Sequence, residues 1–192
     1  MSLTTVALAG ALVGPPLLLA SATQIQAQRT QQAQRLAQAE IDRVRSLVRQ
    51  SAVTESAPSD LPPVSAAAKL AQQPPPQAIA AVQSTHAHCR AGRGALSGEA
   101  IGIDIDGDTA CDPEFVLQRF RSGSSVSRAP FEVMVRVYAA SNQDFAALQT
   151  EIAPVGLGQV AARRPLAVIT TTISPSDAPG ALLCYHGQRC AE

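Results

Sequence analysis

Residues 3–50 read LTTVALAGALVGPPLLLASATQIQAQRTQQAQRLAQAEIDRVRSLVRQ, an apolar run that passes directly into a long polar one. The first part, residues 3–23, has no charged side chain and is dominated by Ala, Leu, Val and Gly. It supplies the roughly 20 apolar residues that a bilayer-spanning helix needs. Pro15 and Pro16 follow Gly14 in its middle. Each proline removes a backbone donor and crowds the preceding turn, which predicts a kink or a melted turn there. From residue 24 to 50 the composition shifts to Gln, Arg and Ala, while Ile25, Leu36, Ala37, Ile41, Val44, Leu47 and Val48 recur at three- and four-residue steps. That is the period of an amphipathic helix with a narrow apolar stripe. No helix breaker separates the two halves, so residues 1–50 read as a single stem about 70 Å long at 1.5 Å per residue.

Beyond the stem, residues 51–83 contain Pro58, Pro62, Pro63, Pro74, Pro75 and Pro76 among Ala, Ser and Gln. This density of proline favours extended segments, so the stretch reads as a linker or a wrapped irregular loop, with room for one helical turn over 66–73. The head is then residues 84–192. In it Phe131, Val133, Val135 and Val137 alternate with Glu132, Met134, Arg136 and Tyr138, the pattern of a strand with one buried face. Residues 115–121 and 166–173 are rich in β-branched and aromatic side chains and read as further strands. Ser141 with Asp144 resembles a capping box, predicting a short helix over 142–150. The expected fold class is α+β: a long N-terminal helix whose stripe covers a small antiparallel sheet.

The stem and linker leave about 110 of the 192 residues for a head with a single core. Fifteen Lys and Arg balance fifteen Asp and Glu, Lys69 is the single lysine, there is no Trp, and aromatics make up 3% of the chain. Such a chain has neither the basic field nor the stacking platforms of a nucleic-acid binder. No G-x-S-x-G sequence and no glycine-rich phosphate loop after a strand is present, so the reading is non-enzymatic.

The sharpest chemical signal is DIDGDTACD at residues 104–112. Asp104, Asp106, Asp108 and Asp112 stand at relative positions 1, 3, 5 and 9, and Ala110 stands at 7. Calcium loops use this spacing because alternate residues on a tight turn converge oxygens on one hard cation. The run is similar to the calcium loops of dockerins, with two departures. Thr109 holds position 6, where glycine is usual, and Phe115 holds position 12, where a bidentate Glu is usual. Glu114 is expected to face elsewhere, and the competing reading is an ordinary turn in which Asp and Gly are simply favoured. A bound Ca²⁺ would stabilise the head and would have no part in catalysis.

Four cysteines, Cys89, Cys111, Cys184 and Cys190, all lie in the head. An even count in an exported domain reads as two disulfides. The sequence permits three pairings, and the preferred set joins Cys184 with Cys190, closing a short loop, and Cys89 with Cys111, tying the start of the head to the acidic loop. HAHC at residues 86–89, with Cys184, His186 and Cys190, also offers soft ligands, but Cys-x-His-x₃-Cys is not one of the strong zinc spacings.

The run LVGPPLLLASATQIQAQRTQQAQRLAQAEIDRVRSLV at 12–48, the acidic loop before FVLQRFRS at 115–122, and RRPLAVI at 163–169 resemble the hormogonium polysaccharide secretion pseudopilins of cyanobacteria, part of the type IV pilin class. The resemblance covers most of the chain outside the linker. It implies a minor pilin or pseudopilin of an apparatus exporting polysaccharide for gliding motility. It also implies a single-pass stem in the inner membrane and a periplasmic or extracellular head. The implied partners are other minor pilins or pseudopilins, the membrane and the exported polysaccharide. Ile25, Leu36, Ile41, Val44, Leu47 and Val48 would be the assembly-helix residues. One departure stands out: the family carries a basic leader and a Gly-Phe-Thr-Leu run followed by Glu, whereas this sequence starts MSLTTVALAG. The expectation is that translation starts further upstream. The alternative is a membrane-anchored, calcium-binding interaction module that does not polymerise.

Overall fold

The computed structural model describes residues 3–54, 60–86, 88–89, 100–123, 130–140, 145–152 and 163–174, and within the first segment the side chains of 23–50. Helix α1 spans Leu3–Thr54 without interruption. It continues through Gly14, Pro15 and Pro16, so the melted turn expected there is not present. A proline deletes one donor, and the hydrogen bonds on either side carry the helix past it. Among the described residues no helix is long and apolar enough to cross a membrane. The transmembrane expectation concerns residues 3–23, whose side chains other than Thr23 lie outside the described residues.

Five strands follow: β1 (Ala81–Ser84), β2 (Ala100–Asp104), β3 (Phe115–Arg121), β4 (Phe131–Ala139) and β5 (Ala167–Ile173). They form one sheet in the order β1-β2-β3-β4-β5. The neighbours from β2 to β5 are antiparallel, but β1 runs parallel to β2, with Ser84 opposite Asp104. The sheet is therefore mixed, which corrects the antiparallel expectation. Ala81–Ser84 also shows that the proline-rich stretch gives way to sheet before residue 84.

One face of the sheet packs against α1. Ala33, Ala37, Ile41, Val44 and Val48 are buried in a single core with Phe115, Leu117, Val133, Val135, Val137 and Ile173, and Leu36 and Leu47 flank it. The two alanines stand for large residues on the helix side, allowing close approach. Ile41, Val44 and Val48 each contribute about 1.5–3 kcal/mol relative to an exposed side chain. Of the expected assembly residues, Ile41, Val44 and Val48 are therefore occupied within the molecule, while Ile25 is 54% exposed.

The other face of the sheet is buried too, so β4 does not have the single buried face that alternation suggested. Met134, Arg136 and Tyr138 are all buried. The cover is the proline-rich stretch itself. Leu70, at the start of the 3₁₀ turn Leu70–Gln72, packs on Phe120 and Met134, and Ile79 packs with Ala100, Val116 and Tyr138. Arg136 pins this cover, donating to the carbonyls of Gln73 (2.7 Å), Ala71 (2.9 Å) and Leu70 (3.4 Å), while Gln118 donates to the Pro74 carbonyl (2.7 Å). Proline-rich chain leaves many carbonyls without helical or sheet partners, and inward-facing donors satisfy them. Val64 bridges to Arg121, occupying the side of β3 beyond the point where β2 pairs with it. Of the expected helix over 142–150, the 3₁₀ turn Phe145–Ala147 is present, and residues 141–144 lie outside the described residues.

Candidate functional site

The parallel pairing of β1 and β2 places both C-terminal ends at the same end of the sheet. The residues after Ser84 and those after Asp104 consequently share one corner. The β2–β3 connection, 105–114, is built from side chains that fold back on their own backbone. Asp104 Oδ1 accepts the Gly107 N–H (2.7 Å), Asp106 Oδ1 the Asp108 N–H (3.1 Å) and Asp108 Oδ1 the Ala110 N–H (2.8 Å). These short acceptors stabilise tight turns. Glu114 Oε2 accepts the Ile105 N–H at 2.6 Å, so Glu114 faces the loop after all. The glycine that the turn requires is Gly107, at φ 64°; a Cβ there would run into Thr85 Oγ1.

Cys111, also left-handed at φ 59°, is bonded to Cys89. The bridge ties the far side of the acidic loop to the segment following β1. The Cys184–Cys190 pair and His186 lie outside the described residues. With its sulfur in a disulfide, Cys89 is not a zinc ligand, which removes the HAHC reading in its original form.

Of the four carboxylates expected around a cation, three come together. One oxygen from each of Asp104, Asp106 and Asp108 lies within 4.8 Å of the others, while Asp112 is not in the group. Ala110 serves the loop as a donor to Asp108. Position 12, Phe115, is 2% exposed in the core at the start of β3 and offers no ligand. Asp106 and Asp108 are exposed, but Asp104 forms the floor of the loop at 2% exposure. Its Oδ2 has no hydrogen-bond partner among the described residues. The Ser84 hydroxyl across the parallel pair is the largest influence holding the Asp104 pKa below its ordinary value; burial opposes it, and the Gly107 N–H, Asp106 and His86 add to the lowering. The floor of the loop is an anion.

A second polar centre joins stem to head. Glu40 sits in the middle of the apolar stripe of α1 at 8% exposure. Its Oε1 accepts from Arg119 Nη1 (2.8 Å) on β3 and from Arg43 Nη2 (2.7 Å), and its Oε2 accepts from Arg43 Nε (2.8 Å). Arg43 reaches on to the Asp60 carbonyl (3.1 Å). Burial lowers the Arg119 pKa from its ordinary value, partly offset by the charge and hydrogen bond of Glu40. For Arg43 burial acts in the same direction, but Glu40 and Asp60 outweigh it and raise the pKa. The sequence carried a signal for this centre in a carboxylate within an apolar arc and an arginine in phase with Phe115 and Leu117, but reading the stripe by hydrophobicity alone passes over both.

No protein-family model, curated protein or solved structure matches the chain.

Proposed function

We propose that this chain is a pilin-like structural subunit, a minor pilin or pseudopilin that enters a helical assembly through its stem. The observation that carries the reading is one uninterrupted helix, Leu3–Thr54, whose burial against the sheet begins at Ala33. Ahead of that point the helix includes the uncharged apolar run of residues 3–23, about the 20 residues that a bilayer-spanning helix needs. A helix that carries a head at one end and an apolar extension at the other can wait in a membrane and then pack among like stems. In this reading the head faces the periplasm or the exterior, the partners are other pilin-like subunits, and the process served is polysaccharide export for gliding motility, as the motif resemblance implies.

The test is crosslinking in native membranes. Ile25→Cys places a thiol on the exposed part of the stem. The proposal expects oxidised multimers whose formation requires the assembly ATPase; a chain that stays monomeric there would remove the pilin reading.

A second reading, an anchored calcium-dependent interaction module that does not polymerise, draws support from the acidic loop. It expects the monomeric outcome together with calcium-dependent retention of a head-binding ligand.

A further inference from the structure

The geometry points to a Ca²⁺ site in the β2–β3 loop, with Asp104 at the end of β2 and Asp106 and Asp108 beyond it as carboxylate ligands. Two independent observations carry it. The first is convergence: one oxygen of each aspartate lies within 4.8 Å of the others, close enough for all three to reach one calcium ion at about 2.4 Å each. The second is the floor of the loop. Asp104 is 2% exposed, and its Oδ2 has no hydrogen-bond partner among the described residues. Its Oδ1 points into the turn, towards the Gly107 N–H. The Ser84 hydroxyl and the Gly107 N–H act on this carboxylate, yet Oδ2 itself accepts no hydrogen bond among the described residues, and a buried carboxylate oxygen so placed is costly unless a cation satisfies it. Among the described residues no Arg or Lys forms an ion pair with any of the three aspartates.

The chemistry selects the ion. All three ligands are hard oxygens, Cys89 and Cys111 are consumed by their bridge, and the two outer aspartates are exposed, leaving room for water to complete the shell. Calcium accepts six to eight oxygens in irregular arrangements, whereas Mg²⁺ demands a near-ideal octahedron and soft metals prefer sulfur or nitrogen. Asp104 pairs with Ser84 across the parallel strands, and the bridge from Cys111 reaches the segment after β1. A cation on the three aspartates therefore fixes the loop to the end of β2, while the disulfide ties it to the segment after β1. With three protein carboxylates and no bidentate Glu at position 12, the affinity belongs with extracellular modules, at about 10⁻⁴–10⁻³ M. This inference does not depend on the pilin reading.

The experiment titrates the full chain in detergent with CaCl₂ and, separately, MgCl₂ by calorimetry, with thermal unfolding followed in parallel. The site expects one Ca²⁺ per chain, Mg²⁺ at least about tenfold weaker, and an unfolding temperature that rises with Ca²⁺ and falls back in chelator. Asp104→Asn is expected to abolish the heat. The doubly substituted Asp106→Asn/Asp108→Asn chain alters only exposed side chains and keeps an Oδ1 to accept the Asp108 and Ala110 N–H groups, so loss of binding with an unchanged calcium-free unfolding temperature reads on the site alone. The absence of heat with Ca²⁺ up to about 10 mM, well above the expected range, would overturn the inference. So would binding that survives the double substitution.

Discussion

Arg119 Nη1 on β3 lies 2.8 Å from Glu40 Oε1 on α1, a contact between residues 79 positions apart that fixes how the stem sits on the head. The Arg119 side chain is 1% exposed and that of Glu40 9% exposed. Removing one partner from a buried pair leaves an uncompensated charge, at a cost of about 3–5 kcal/mol. Glu40→Leu, which removes the carboxylate facing the buried Arg119 guanidinium, should destabilise the chain by that amount in urea unfolding, and Arg119→Met by less, because Arg43 still pairs with Glu40. The double variant should regain most of the loss, because a buried pair and a well-packed apolar pair differ little in net stability. A double-mutant cycle measures the coupling.

The stripe on α1 is divided by the edge of the head. Ile41 is 1% exposed and Ile25 54%. Ile41→Ala should cost about 2–5 kcal/mol through lost burial and a residual cavity, while Ile25→Ala should stay within about 0.5 kcal/mol. Thermal unfolding of the two variants side by side checks this. Equal effects would mean that the helix does not leave the head where the burial changes.

Arg136 holds the proline-rich cover on the second face through three carbonyls and stacks over Phe120 at 5.1 Å. Hydrogen bonds to a charged group contribute about 1.5–3 kcal/mol each, so Arg136→Met should destabilise by about 3 kcal/mol or more. Its local signature should be faster amide exchange and easier proteolysis across residues 60–80, with the α1 side of the sheet protected as before.

The Cys89–Cys111 bridge closes a separation of 22 residues. The Cys89→Ser/Cys111→Ser double variant should lose about 2–4 kcal/mol of stability by urea unfolding. It should also bind Ca²⁺ more weakly, because the cation would then have to order the loop that the bridge now holds.

The long helix was legible because it announces itself through period. Leu36, Ile41, Val44 and Val48 recur on one face whatever they pack against, and the β4 alternation from Phe131 to Val137 is equally local. The acidic loop was legible as a set of types and spacings, although Asp112 stands outside the group that forms and Glu114 turns into the loop. The short β1 and β2 were not visible. Four or five residues such as AVQS and AIGID carry too little periodic signal to separate strand from loop.

What the sequence determined by itself was the set of interactions between neighbours along the chain: the helix and its stripe, three of the strands, the tight acidic turns and the presence of a proline-rich stretch. Tertiary structure decided what faces what. It set β1 parallel to β2, bringing Ser84 beside Asp104 and making the acidic loop the neighbour of Cys89. It folded the proline-rich stretch onto the second face of the sheet, so that Arg136 became buried. It also buried Glu40 against Arg119. Each of these joins residues far apart in sequence through desolvation and unsatisfied donors or acceptors. Those terms exist only once the partner surfaces have met, and no local period encodes them.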